Sequence, residues 1–154
     1  MTTKNRMIYA LDPGLMSGVC VLELPKGQDP ILKWAAEQEI PDVVPALRSI
    51  LAAYPHLEVV CERFVITPQT AKKSPQGWSL EIIGSVKQTL RDVGRSEDDI
   101  YFQKPADAMN LFPNAGLKKL GYWHVGGKDH ANDAIRHALL YISDNGWMPT
   151  GLIG

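Results

Sequence analysis

The 154-residue sequence has little cysteine, no long apolar run and almost no net charge, and each shortage excludes something. Its two cysteines, Cys20 and Cys61, fall in the apolar runs GVCVLEL and LEVVCERF without metal-type spacing. They read as buried free thiols of a reducing compartment rather than as a disulfide. No stretch approaches the roughly 18 apolar residues of a membrane span, and the opening MTTKNRM lacks the apolar core of a signal peptide. The expectation is a soluble, cytoplasmic protein with no membrane partner. A net charge of −1 argues neither for nor against nucleic acid. Internal repeats and low-complexity segments are also lacking.

What is present suits one compact domain, residues 1–154, since 45% hydrophobic residues supply a sizeable core. The pattern predicts strands over Met7–Leu11, Gly18–Leu24, Ile31–Glu37, Leu57–Cys61 and Asp99–Gln103. Helices are predicted from Pro41-Asp42 onward with Val44, Leu47, Ile50 and Leu51 inward, then over Ser79–Val93, around Asn114–Leu120, and over Asp129–Ser143. Three strands followed by alternating helices and strands imply an α/β fold, a mixed five-stranded sheet flanked by helices.

Two carboxylates stand out against this frame. Asp12 follows an apolar strand directly before a Pro-Gly turn, and Glu62 ends the fourth strand. A carboxylate finishing a buried strand is costly unless a partner, a wet cleft or a metal compensates it. Neighbouring strand ends are where α/β proteins build ligand sites. There the two acids would repel each other, and a divalent cation is the usual remedy. The segment KDHANDAIRHALLYI offers further ligands: His130 and Asp133 are three apart, Asp129 and Asp133 four apart. Asp129 is equally a candidate helix N-cap and His130 a candidate loop residue. On a helical wheel Ala131, Ala134, Ile135, Ala138, Leu139 and Ile142 form the buried face, with Asp133 almost opposite. Asp133 is therefore expected in solvent unless the helix N-terminus overhangs the strand ends.

The order DPG-x-x-SG after a first strand, a strand ending C-E-R-F, and a late helix with H-A-N-D-A resembles the RuvC-type Holliday junction resolvases. These belong to the RNase H-like superfamily, and the short phage-type members are the nearest in pattern. The resemblance implies an RNase H-like fold and four metal-binding, catalytic residues that fall on Asp12, Glu62, His130 and Asp133, with Asp129 in reserve. It also implies an endodeoxyribonuclease working in a bacterial or phage-infected cytoplasm on branched DNA: Holliday junctions and, by extension, forks or flaps. Two divalent ions, Mg2+ or Mn2+, would supply the activated water and the charge neutralisation for phosphodiester hydrolysis. A histidine ligand tilts the preference towards manganese. In that scheme Asp12 bridges the metals, Glu62 orients the attacking water, and His130 with Asp133 holds the second ion.

DNA contacts are expected from two acid-poor segments. Arg63, Lys72 and Lys73 occupy a stretch without acids up to Trp78, and four lysines between Phe102 and Lys128 meet only Asp107. The long segment after Glu62 exceeds a normal strand-to-helix connection. Phe64 within it is either a wedge between bases or a core residue. Lys104, at the end of the fifth strand, is expected to meet a phosphate. Trp78 and Trp123 read as packing residues. A homodimer is expected because a nearly two-fold junction needs two nicks. Its interface would draw on Leu80, Ile83, Val86, Leu90 and Val93, which otherwise serve the core. The rival readings are a branched-nucleic-acid binding module that does not cut, and an actin-like phosphotransferase or ATPase suggested by the same D-P-G turn.

Overall fold

A computed structural model of the chain describes residues 4–64, 68, 69 and 77–147. Lys72 and Lys73 lie outside the described residues. The strands are β1 (Arg6–Asp12), β2 (Met16–Leu24), β3 (Ile31–Glu39), β4 (Glu58–Glu62) and β5 (Ile100–Gln103). The helices are α1 (Ile40–Ala53), α2 (Trp78–Asp92), α3 (Pro105–Leu111), α4 (Asn114–Leu120) and α5 (His130–Asp144). The strands form one mixed sheet in the order β3-β2-β1-β4-β5. β1, β2 and β3 pair antiparallel, whereas β4 joins β1 and β5 joins β4 in parallel, each after a helical crossover.

Residues two apart share a face of a strand, and that rule sorts the core into two layers. Tyr9, Leu11, Val19, Val21, Val59 and Cys61 pack on one face against Val43, Leu47, Ile82, Val86 and Leu90 of α1 and α2. Ile8, Ala10, Cys20, Leu22 and Val60 pack on the other against Ala134, Ile135, Ala138 and Leu139 of α5. Both cysteines are buried free thiols. Continuing the alternation, Asp12 and Glu62 fall on the α5 face.

Several elements depart from expectation in detail. In α1 the buried line is Val43–Leu47–Leu51, with Val44 and Ile50 only half-buried. The short helix α3 has no counterpart among the predicted elements; only Ala108 among its residues is buried, so its amphipathic signal is weak. In α2, Ile83, Val86 and Leu90 belong to the monomer core, leaving Leu80 at 42% and Val93 at 49% exposure from the expected interface set.

Candidate metal centre at the strand ends

One row of residues crosses the whole sheet beneath the start of α5. Asp12 of β1 pairs with Gly18 of β2, and Gly18 pairs with Glu37 of β3. On the other side Leu11 pairs with Cys61, which sets Glu62 one step on beside Asp12, and Glu62 pairs with Gln103 of β5. The row therefore reads Glu37, Gly18, Asp12, Glu62, Gln103.

Gly18 is the reason the helix can reach this row. A Cβ there would overlap the backbone carbonyl of His130 and crowd the amide of Ala131. Its absence lets the first turn of α5 sit directly on β2. Glu37 completes the seat: it accepts from the backbone N–H of Lys128 and, at 3.2 Å, from that of His130. It takes the place of a local cap, because the side chain of Asp129 makes no capping bond. Buried Asn132 ties the preceding loop down by exchanging two hydrogen bonds with the backbone of His124 at 2.8 and 2.9 Å.

The helix N-terminus thus overhangs the strand ends. Single ligand atoms of Asp12, His130 and Asp133 all lie within 4.8 Å of one another. His130 Nδ1 stands 3.6 Å from Asp12 Oδ2. The expectation of a solvent-facing Asp133 is corrected: it is half-buried and turned to Asp12, because α5 is covered on nearly every side. Arg136, 2% exposed, bonds Asp133 at 3.3 Å and Asn114 at 2.6 Å. Asp129, the reserve ligand, is exposed, outside the trio, and sits in a left-handed conformation with φ of 67°.

Glu62 is also outside the trio, yet it acts on it. Burial first, then the Glu62 and Asp133 carboxylates, push Asp12 up to about 9. Burial and Glu62 raise Asp133 too, with Arg136, His130 and His137 pulling the other way. These acids crowd one another in a partly dehydrated place. A divalent cation relieves such repulsion, and the donor set, carboxylates with one imidazole, fits Mg2+ or Mn2+.

His137 is the residue the sequence reading missed. It is 1% exposed and bridges Glu62 Oε2 at 2.9 Å and the Gln103 amide at 2.8 Å. Its spacing from His130 and Asp133, seven and four residues, is the signal that marks it. Lys128 was noted only as part of a basic segment. It lines the cleft of about 1010 Å3 that opens over Asp12, His130 and Asp133 between Leu15 and Ile40.

The other expected DNA contacts sit apart from that cleft. Arg63 and Lys104 are exposed and line a separate hollow of about 310 Å3 beside Gln103 and Asp107. Phe64 is half-buried and packs against the α1–α2 core layer. Trp123 packs on the α5 layer with Lys118 Nζ 4.6 Å above its ring, and Trp78 is half-buried at the start of α2.

Solved structures share this architecture. A Thermus thermophilus RuvC in complex with a Holliday junction substrate superposes with a TM-score of 0.66, covering 91% of this chain and 96% of its own at 16% identity. The fold is that of RuvC. A second Thermus thermophilus RuvC structure gives a TM-score of 0.63 at 17% identity over 90% of this chain and 96% of its own. The yeast mitochondrial Holliday junction resolvase Ydc2 gives 0.59 at 12% identity over 92% of this chain and 80% of its own. No protein-family model and no curated protein matches the sequence. Among the described residues no helix is long and apolar enough to cross a membrane.

Proposed function

We propose that the protein is a divalent-metal-dependent endonuclease that resolves Holliday junctions, with forks and flaps as secondary substrates. The observation that carries the reading is the convergence of Asp12, His130 and Asp133 within 4.8 Å, beside Glu62, on a RuvC-type fold. Two bound cations would activate water and neutralise the scissile phosphate and the leaving oxygen. Asp12, central in the row, holds the metal position from the sheet; His130 and Asp133 hold it from the helix. Glu62, hydrogen-bonded by His137, would be the fourth metal-binding residue and would orient the attacking water. No side-chain nucleophile is required. Asp129 is left free of the metal.

Lys128 is placed to meet the phosphate entering the cleft, while Arg63 and Lys104 engage the backbone further along, with Lys72 and Lys73 adding charge. Such contacts supply most of the affinity and none of the cutting. Two opposed nicks require two sites, which an isologous dimer provides. The exposed Leu80 and Val93 are available for it.

Incubation with labelled four-way junction, fork, flap and plain duplex, in Mg2+ or Mn2+, tests the reading. Paired nicks in opposed junction strands are expected, with duplex uncut. Equal cutting of duplex would remove the junction assignment, and binding without cutting in either metal would leave a binding module.

A further inference from the structure

A buried polar pair stands behind the metal centre, not in it. His137 is 1% and Gln103 6% exposed, and their side chains hydrogen-bond Glu62, each other and the backbone of α5. Two partners decide what the imidazole can do. Its Nε2 faces the carboxylate of Glu62 at 2.9 Å, so Nε2 carries the hydrogen and donates. Its Nδ1 faces the carboxamide of Gln103 at 2.8 Å.

The carboxamide has one orientation that satisfies every neighbour. In it the Gln103 NH2 donates to His137 Nδ1 and, at 3.0 Å, to the His137 carbonyl. The Gln103 oxygen then accepts from the backbone N–H of Tyr141 at 3.1 Å. The reverse orientation sets oxygen against carbonyl and N–H against N–H. Gln103 is thus locked by the α5 backbone, and a locked donor at Nδ1 leaves no room for a hydrogen on that nitrogen.

We propose that Gln103 and His137 form a positioning pair in which the Gln103 amide donates to Nδ1, leaving the Nε2 hydrogen to donate to Glu62, and which thereby aims the Glu62 carboxylate at Asp12. The inference rests on the metal-centre reading of Glu62 given above. His137 is a positioning residue: it touches neither the phosphate nor the metal space. The α5 geometry makes this one device. Seven residues of helix advance about 10 Å, roughly the two strand spacings from β2 to β4, so a helix that places His130 over Gly18 can bring His137 to Glu62 of β4. Groups that hydrogen-bond a ligating carboxylate typically contribute about 10–100-fold in metal affinity.

Two measurements on the whole, DNA-free protein test the pair. Long-range 1H–15N spectra of histidine-labelled protein at neutral pH should show His137 protonated at Nε2 alone, and Gln103→Leu should lose that bias. Mn2+ titration should show His137→Leu weakened about 10–100-fold and His137→Gln, which keeps an N–H near the Nε2 position, largely restored. A wild-type His137 protonated at Nδ1, or doubly protonated, would overturn the proposal even if no variant folds. Unchanged Mn2+ affinity in a folded His137→Leu would overturn it while leaving the metal centre standing. A wild-type protein that binds no Mn2+ would overturn the metal-centre reading and this inference together.

Discussion

β4 carries a carboxylate at each end, beside Arg6 and Asp12 at the two ends of β1, and the two ends are treated in opposite ways. At the start of β4, Glu58 receives a two-pronged bond from Arg6 at 2.9 and 2.7 Å and a third from the Tyr141 hydroxyl at 2.7 Å. Despite some burial, those bonds hold Glu58 below the usual carboxylate range. At the finish of the same strands, Asp12 faces Glu62 and Asp133, and burial with their charge carries it to about 9. The chain therefore has the means to neutralise a carboxylate at a strand end, whereas at the end that α5 overhangs the bonds from Arg136 to Asp133 and from His137 to Glu62 leave Asp12 raised. Repulsion kept at a strand end costs stability, and it is the mark of a site completed by a ligand.

The largest break in this comparison is expected from Gly18→Ala. The added methyl collides with the His130 backbone, so α5 must lift off β2 and take His130 and Asp133 away from Asp12. Loss of at least about a hundredfold in Mn2+ affinity is expected, with a stability cost of about 1–3 kcal/mol for overpacking. Titration calorimetry and thermal melts check both. Retained Mn2+ affinity would show that the helix is not seated by that glycine.

The metal-free protein should also respond to pH in a particular direction. Asp12 is raised from an ordinary 3.8 to about 9 in the fold, so between those values the folded state holds a proton that the unfolded state has released. Stability from this group is then full at low pH, falls as pH rises through that window and levels off above it. Asp12→Asn should flatten the fall and raise Tm at neutral pH, on the order of 2–4 °C for each kcal/mol relieved. Mn2+ should flatten it in the wild-type protein. Melting curves at a series of pH values decide this, and a rising profile would contradict the arrangement.

The smallest effect belongs to the opposite end. Glu58→Gln removes a partly exposed ion pair, worth up to about 1 kcal/mol, and should leave cleavage and Mn2+ affinity unchanged. A melt and a cleavage gel suffice, and an effect on cutting would show that the two ends are coupled.

Much of this contrast was legible before any coordinates. Strand parity and order bring Asp12 and Glu62 together, and the three-residue spacing pairs His130 with Asp133. The orientation of Asp133 was not legible, because a wheel drawn from apolar residues ignores burial by polar partners such as Arg136 and His137. The service of Glu37 to a helix more than ninety residues away was hidden too. That contact exists only because Gly18 stands between Glu37 and Asp12 in the row, and sequence does not reveal cross-strand register. Phe64 carries two chemical possibilities in the sequence, and its packing against the core became visible only in the fold.

The most direct test of the central claim is junction cleavage and junction binding measured side by side for wild type, Asp12→Asn and Glu62→Gln in Mn2+. Both substitutions are expected to reduce cleavage at least about a hundredfold, the equivalent of several kcal/mol of transition-state stabilisation. Gel-shift affinity should stay near wild type, since phosphate contacts by basic side chains generally dominate affinity for DNA. If either variant cuts at close to the wild-type rate, the strand-end carboxylates are not the metal centre.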